Sequence, residues 1–357
     1  MIESPLHGGD RTFWEEKTGR RDFLDFSASI NPMGMPESAR RALAACAGEA
    51  QCYPDPRCRE LRRALAALEE IQEEWILCGN GAAELIHRLV YAVRPKRALL
   101  PAPTFSEYAR ALGQVGCAVG EYALRAGDGF APGVDFLARI PRQGMVFLCN
   151  PNNPTGNLLP PELLEEILDT CARRGTMLAV DECFLDLAEE GEKRSLKRLL
   201  ERAPQLVILR ALTKTFAMPG LRLGYCLCAD AVLLRRIRAA GAPWSVSAPA
   251  QLCGIAAVGE RGYLARSREL ITRERERLQR ALRELGFVVW EGAANFLLFY
   301  TEYKNLAEDL AAKGILLRDC GGFPGLEPGY FRTAVRTKEE NSALLEAIKE
   351  STACRQY

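Results

Sequence analysis

The sequence predicts an α/β protein with a mostly parallel central sheet flanked by helices and a smaller α+β domain. Between about residues 75 and 228, short apolar runs alternate with helical patterns, as is typical of parallel strands buried on both faces. Five of these runs lead directly into polar or glycine-rich clusters. After a long amphipathic helix, the pattern changes to short strands near 287–290, 296–300, 315–318 and 331–335.

The pattern divides the chain into three parts. Residues 1–36 are expected to form an irregular N-terminal arm that packs on the small domain, residues 37–258 the large ligand-binding domain, and residues 259–357 the small C-terminal domain. Helical patterns at 37–47 and 57–70 begin the large domain, and Asp55 is expected to cap the second of them.

The five polar clusters are expected to meet in one cleft. In an open α/β sheet, ligands bind outside the carboxyl ends of the strands, and each cluster follows a predicted strand. The clusters are Gly79–Glu84, Pro101–Phe105, Asn150–Gly156, Asp181-Glu182 and the segment around Lys214.

Composition excludes several classes of function. A net charge of +1 over 357 residues leaves no basic excess for binding nucleic acid. No apolar stretch is long enough to span a bilayer, and the N-terminus lacks the apolar core of a signal peptide, so we expect a cytoplasmic protein whose thirteen cysteines are free thiols. With two histidines and no CxxC pair, no metal site is expected.

Lys214 follows the apolar run at 206–209. A lysine held at the end of a buried strand is partly desolvated, which lowers its pKa and frees a neutral amine to attack a carbonyl carbon. The alternative is a lysine whose stem packs on apolar surface while its ammonium group reaches water. A cofactor aldehyde is the partner that suits the first interpretation.

The first cluster suits a phosphate. Asn80, Gly81 and Ala82 open a helix whose amides and positive end can hold an anion, although a helix start without a ligand explains them equally well. Arg222, between Gly220 and Gly224, can supply a fixed charge to the same phosphate. The alternative for Arg222 is an ordinary surface arginine.

Four further residues suit a pyridine ring. Asp181 follows four apolar residues and would pair with a protonated ring nitrogen, unless it forms a structural pair with an arginine. Asn153 can donate to a ring hydroxyl, or lie in a turn without a ligand. Phe105 or Tyr108 can stack on the ring, or both can be core aromatics.

These motifs resemble, in order and spacing, those of the fold-type I pyridoxal-phosphate enzymes of the class I/II aminotransferase group. The resemblance implies pyridoxal 5'-phosphate bound covalently by Lys214, with Asp181 as partner of the ring nitrogen and Arg222 on the phosphate. It also implies a homodimer with shared active sites, because Tyr53 resembles a tyrosine that reaches the neighbouring subunit's cofactor. The residues that carry the resemblance are Asn80-Gly81, Pro103-Thr104-Phe105, Asn153–Gly156, Asp181-Glu182, Thr213-Lys214 and Gly220–Gly224.

The ends of the chain resemble the threonine-phosphate decarboxylases of cobalamin biosynthesis within that group. In this comparison Arg318 and Arg332 match the arginines that hold the substrate, and Phe184 stands where many aminotransferases have a tyrosine. The other positions that match substrate contacts are His7, Gly8, Asn31 and Asn153.

The expected activity is therefore decarboxylation of a small phosphorylated amino acid, O-phospho-L-threonine, to (R)-1-amino-2-propanol O-phosphate. Residues alone do not distinguish it from a histidinol-phosphate-type aminotransferase, because both reactions use the same cofactor and lysine. Asp10, Ser29 and Ala211 depart from the family pattern, which keeps O-phospho-L-serine open as the substrate. A third alternative is a nicotinamide-dependent dehydrogenase, or a binding protein, with Gly79–Glu84 as a dinucleotide loop.

Overall fold

The structure is a computed structural model that describes residues 7–353. Its strands, numbered in chain order, are β1 Leu24–Asp25, β2 Ile76–Gly79, β3 Arg97–Ala102, β4 Ala118–Ala123, β5 Met145–Cys149, β6 Met177–Asp181, β7 Leu206–Ala211, β8 Gly224–Leu227, β9 Val288–Val289, β10 Phe296–Tyr300, β11 Ile315–Leu316, β12 Arg318–Asp319 and β13 Tyr330–Ala334.

Helices cover both faces of the large sheet and one side of the small one. They are α1 Arg11–Thr18, α2 Glu37–Ala45, α3 Arg59–Glu69, α4 Gly81–Val93, α5 Glu107–Gln114, α6 Phe136–Arg139, α7 Pro161–Arg174, α8 Leu212–Thr215, α9 Ala231–Ala239, α10 Ala248–Val258, α11 Tyr263–Glu284, α12 Leu306–Ala312 and α13 Lys338–Ala353.

The central sheet has seven strands in the order β2-β8-β7-β6-β5-β3-β4. The strands from β7 to β4 are parallel, whereas β8 pairs antiparallel with both β7 and β2. Because β8 alone is reversed, β2, β3, β5, β6 and β7 all end at the same edge of the sheet. The predicted α/β class with a mostly parallel sheet is therefore confirmed, and the five polar clusters lie along one edge.

A second, four-stranded antiparallel sheet follows in the order β12-β13-β10-β9. In its core the rings of Phe287 and Phe299 stack with centroids 5.5 Å apart. Strand β1 of the N-terminal arm pairs with β11, which favours the predicted packing of the arm on this domain. The division at residues 36 and 258 stays a prediction.

Three local predictions were wrong. The arm is not irregular throughout, because α1 begins after Asp10, whose carboxylate accepts from the Phe13 amide. Helix α2 ends at Ala45 and continues as a 3-10 helix to Gln51. Helix α3 begins at Arg59 rather than at 57, because Asp55 accepts from the Arg59 amide, 2.7 Å away, across an intervening turn.

A buried charge cluster joins the ends of β6 and β7. The guanidinium of Arg210, 1% exposed, lies 2.9 Å from the carboxylate of Glu182 and also contacts that of Asp186. Ser195 adds a hydrogen bond to Glu182. Removing one partner of a buried pair typically costs about 3–5 kcal/mol, because the other charge stays buried and uncompensated. This cluster therefore holds β6, which ends at Asp181, next to β7, which leads into the helical turn with Lys214.

No helix in residues 7–353 has the length and apolar character that crossing a membrane requires.

Candidate active site

A cavity of about 450 Å³ opens at the edge where the five strands end. It brings together residues from the large domain, the small sheet and the N-terminal arm. The predicted site residues that line it are His7, Gly8, Ala82, Phe105, Asn153, Asp181, Thr213, Lys214, Arg222, Arg318 and Arg332.

Lys214 lies on α8, a single helical turn that directly follows β7. Burial, followed by the positive charges of Arg332 and Arg222, lowers the pKa of its amine from 10.5 to about 8. At pH 7 roughly a tenth of the amine is then neutral, far more than for an ordinary lysine. This is the state that attacks an aldehyde, as the position of Lys214 in the sequence predicts.

Asp181 is the last residue of β6 and is 5% exposed. Its two carboxylate oxygens accept hydrogen bonds from the hydroxyl of Tyr108 at 2.7 Å and from the Cys183 amide at 3.0 Å. Within residues 7–353 it forms no ion pair with a lysine, arginine or histidine, so it is not the structural Asp-Arg pair considered above. A buried carboxylate without a cation suits a ligand that carries a proton on nitrogen.

Tyr108 has a different place from the one predicted. Its ring is fully buried, stacks on Phe147 with centroids 4.8 Å apart, and does not line the cavity. Burial raises the pKa of its hydroxyl, which stays a donor to Asp181. Of the two aromatic candidates, only Phe105 is positioned to contact a ligand ring. Tyr108 instead holds the carboxylate of Asp181 in place through its hydroxyl group.

Arg222 and the start of α4 form a cradle for an anion. Gly81 has a φ of +82°, and a Cβ there would lie 2.8 Å from a guanidinium nitrogen of Arg222. A Cβ at Gly224 would lie 2.5 Å from the amide nitrogen of Ala82. At both positions a neighbouring group comes so close to the backbone that only glycine, which has no Cβ, fits without a shift. Asn80 is exposed, and its backbone amide donates to the carboxylate of Glu84 at 2.6 Å. The role of Asn80 in this cradle therefore stays a prediction.

Arg318 and Arg332 face each other across the β12-β13 pair. Arg332 is 7% exposed, and burial lowers its pKa to about 10. Burial also lowers the pKa of Arg318. Like charges directly opposite each other on paired strands destabilise a sheet, so this arrangement calls for an anion in the cavity that both arginines line.

Hydrogen bonds orient Arg332 within this pair. Its guanidinium donates to the side-chain oxygen of Asn153 and, at 2.7 Å, to the carbonyl oxygen of Ser27. Its Nε has no partner in the structure. Gly8 packs against the same segment, where a Cβ would come within 2.1 Å of the Ser27 carbonyl oxygen. The N-terminal arm therefore closes over the arginine end of the cavity.

Besides Tyr108, Asn80 and Gly81, the predicted residues Asn31 and Tyr53 do not line this cavity. The side-chain amide of Asn31 is buried and donates to the carbonyl oxygen of Thr215 and to the hydroxyl of Ser267, each at 2.8 Å. Asn31 thus holds the turn that carries Lys214, and its predicted contact with substrate stays a prediction. Tyr53 is 83% exposed and packs on Trp244, away from the cavity of its own chain.

Sequence reasoning missed several residues that line the cavity. Glu107 begins α5 and contacts both histidines of the chain, but a glutamate in the first turn of a helix is too common to predict that. Cys149 and Cys183 flank Asp181, and burial raises the pKa of both thiols. Their position in strands and strand ends was the only signal.

The residues present fit pyridoxal 5'-phosphate. Lys214 supplies a neutral amine, Asp181 a buried carboxylate without a cation, and Arg222 with the start of α4 an anion cradle. Thr213 and Ala82 line the wall between the lysine and the cradle.

Comparison with known proteins agrees with this geometry. The chain is 39% identical to the threonine-phosphate decarboxylase of Salmonella typhimurium over 91% of its length and 90% of that protein. It is 30% identical to histidinol-phosphate aminotransferase 2 of Archaeoglobus fulgidus, over 92% and 93% of the two chains. The structure of the histidinol-phosphate aminotransferase from Clostridium acetobutylicum superposes with a TM-score of 0.84 at 27% identity, covering 92% of this chain and 98% of that one.

The model of the family "Aminotransferase class I and II" matches residues 21–348. The fold, the order of the clusters along the sheet edge and the relatives all agree with this match, and the chain belongs to the class I and II aminotransferase family.

Proposed function

We propose that the protein is a pyridoxal 5'-phosphate-dependent decarboxylase of O-phospho-L-threonine, which yields (R)-1-amino-2-propanol O-phosphate for cobalamin biosynthesis. The observation that carries this proposal is the opposed pair Arg318 and Arg332 in the cavity that Lys214 also lines. The name of the 39% identical relative supports it.

The substrate is proposed from charge. O-phospho-L-threonine brings a carboxylate and a phosphate of nearly two negative charges, which matches two opposed guanidinium groups and a nearby histidine. Histidinol phosphate has no carboxylate, so it would bring one anionic group to a cavity that two opposed arginines line. Two anionic groups compensate two opposed guanidinium charges better than one does, which favours the substrate with both a carboxylate and a phosphate.

The cofactor supplies an electron sink for the bond that breaks at Cα. Asp181 holds a proton on the ring nitrogen, and Tyr108 and the Cys183 amide keep that carboxylate oriented. Lys214 can accept a proton from Cα as a neutral amine and donate one to Cα as an ammonium ion, and a pKa of about 8 keeps both forms accessible. In the decarboxylation, this amine delivers the proton that replaces the carboxylate.

Two alternatives stay within the same cofactor chemistry. Phosphoserine lacks only the threonine methyl group, which is worth about 1 kcal/mol, so a decarboxylase of O-phospho-L-serine is the nearer one. A histidinol-phosphate-type aminotransferase is supported by the name of the 30% identical relative. A nicotinamide-dependent dehydrogenase is disfavoured by the family match and by the buried amine of Lys214.

Carbon dioxide release without a keto acid is the direct test of the proposal. The holoenzyme is expected to convert O-phospho-L-threonine to carbon dioxide and the phosphorylated amino alcohol. It should prefer this substrate over free threonine by roughly a thousandfold, because free threonine brings no phosphate to the arginines that line the cavity. Phosphoserine is measured in parallel. Efficient amino transfer from histidinol phosphate to 2-oxoglutarate, with no carbon dioxide from phosphothreonine, would falsify the decarboxylase proposal.

Asp181→Asn is expected to keep the cofactor bound but to lose activity about a hundredfold, because an amide does not stabilise a proton on the ring nitrogen. Tyr108→Phe is the matched variant, since it removes one hydrogen bond to Asp181 and leaves the charge. We expect it to lose activity about tenfold. Steady-state rates and the visible spectrum measure both effects, and a fully active Asp181→Asn would show that the carboxylate is only structural.

We also propose a homodimer with shared active sites, on the basis of the exposed Tyr53. Mixing Tyr53→Phe with Lys214→Ala subunits should restore activity at limiting cofactor, because a heterodimer then has one intact site and one with both lesions. Tyr91→Phe, at an exposed tyrosine elsewhere, is the control and should be fully active alone. If subunits exchange but activity does not return, Tyr53 contacts the cofactor of its own chain or contacts no cofactor, and the shared-site proposal is wrong.

A further inference from the structure

Glu84 is a carboxylate in the first turns of α4, next to the anion cradle. Its Oε2 lies 2.6 Å from the backbone amide of Asn80, the residue that directly precedes the helix. A carboxylate at this place favours the helix, because the positive end of the helix dipole attracts negative charge. The same negative charge repels any anion that binds at this end of α4.

The cradle needs that end of the helix for a phosphate group. The first amides of an α-helix have no acceptor within the helix, so a bound anion can accept hydrogen bonds from them. Ala82 and Ala83, from the first turn of α4, line the cavity together with Arg222. Glu84 is the next residue of the chain. An uncompensated charge on Glu84 would therefore oppose the binding of a phosphate group.

Arg88 supplies the opposite charge, one turn further along α4. Its guanidinium lies 2.6 Å from Oε1 of Glu84, and its side chain is only 6% exposed. The same guanidinium donates to the carbonyl oxygen of Ala242, 3.2 Å away, in the segment between α9 and α10. Arg88 is thus held both by α4 and by a neighbouring segment, with its charge on the second oxygen of Glu84.

The backbone around this ion pair leaves space for both partners. A Cβ at Gly79 would lie 2.9 Å from Oε2 of Glu84 and 2.7 Å from the side chain of Leu85. A Cβ at Gly241 would overlap with Nε of Arg88. Cβ atoms do not approach other atoms so closely, so each glycine makes room for one partner. The pair therefore has a fixed position, unlike most ion pairs on a helix surface.

We propose that Arg88 is a positioning residue for the cofactor, because it neutralises Glu84 and so lets the start of α4 bind the phosphate group of pyridoxal 5'-phosphate. Arg88 does not line the cavity itself, and it acts through Glu84. This role concerns the cofactor alone and is independent of the substrate.

The alternative is that Arg88 only stabilises the helix. Loss of the ion pair would then weaken the binding of pyridoxal 5'-phosphate and of pyridoxal alike, and the loss would persist after Glu84 is also neutralised, because the ion pair is still absent. Pyridoxal has the same ring and aldehyde but no phosphate group. A charge that acts on the phosphate group therefore changes the affinity for one compound and not for the other.

The test measures the dissociation constants of both compounds on cofactor-free protein by absorbance. Arg88→Met should weaken the binding of pyridoxal 5'-phosphate about tenfold and leave that of pyridoxal unchanged, because the charge of Glu84 is then unopposed. The double variant Arg88→Met/Glu84→Gln should return to within about twofold of the wild type. Arg277→Met, which removes a partly buried arginine from an ion pair with Glu274 in α11, is the matched control and should bind both compounds as the wild type does.

Three results would overturn this inference, with folding confirmed by circular dichroism. They are unchanged binding of pyridoxal 5'-phosphate to Arg88→Met, an equal loss for both compounds, and a double variant that stays as weak as Arg88→Met. If Arg88→Met does not fold, Glu84→Gln takes its place. It should favour pyridoxal 5'-phosphate over pyridoxal more strongly than the wild type does, and an unchanged or weaker preference contradicts the inference. Both constants are measured without substrate, so their outcome is separate from a failure to release carbon dioxide.

Discussion

The site depends on positive charge that several cationic side chains bring to one cavity. The positive charges of Arg332 and Arg222 act on Lys214, and Arg318 stands opposite Arg332 on the neighbouring strand. The only cavity carboxylates among the described residues are Asp181 and Glu107, and hydrogen bonds already occupy both. Such a cavity is most stable when anions enter it. One phosphate on the α4 cradle and a doubly anionic substrate at the arginine pair would meet this requirement.

This constraint explains why so much of the surrounding structure is polar and rigid. The Arg210 cluster fixes the ends of β6 and β7, which carry Asp181 and the turn with Lys214. Asn31 holds that turn from the N-terminal arm through Thr215. With these supports the lysine stays half-buried at the end of β7, and its removal from water, rather than a single neighbour, is the main cause of its lowered pKa. Positioning and charge therefore come from the same set of contacts.

Much of the fold and the cofactor side of the site could be predicted from the sequence. Continuous apolar runs mark the buried parallel strands, and a topological rule then places Asp181, Lys214 and the start of α4 at one edge. The edge strand β4 is mostly exposed, so it has no continuous apolar run from which it could be predicted. The same rule does not say which face of α5 points to the cavity. Phe105 and Tyr108 are therefore both candidates until the packing of Tyr108 on Phe147 is seen.

The substrate side depended on long-range pairing that no local pattern encodes. The opposition of Arg318 and Arg332 follows from the register of β12 on β13. His7 meets Glu107 across 100 residues of chain. Asn31 is an ordinary polar residue before a proline until Ser267 is found beside it. Family resemblance brought these residues together, whereas their geometry and their partners came from the structure.

The neutral amine of Lys214 is the central claim, and its pH dependence tests it most directly. Cofactor-free protein is allowed to react with pyridoxal 5'-phosphate, the product is fixed with borohydride, and the rate at each pH is divided by that of Nα-acetyl-lysine. With a pKa of about 8, the ratio should be constant below that pH and fall about tenfold per pH unit above it, because only the reference amine gains neutral form there. Peptide mapping should find the label at Lys214. A ratio that stays constant up to about pH 10, or a label on another lysine, would contradict the account.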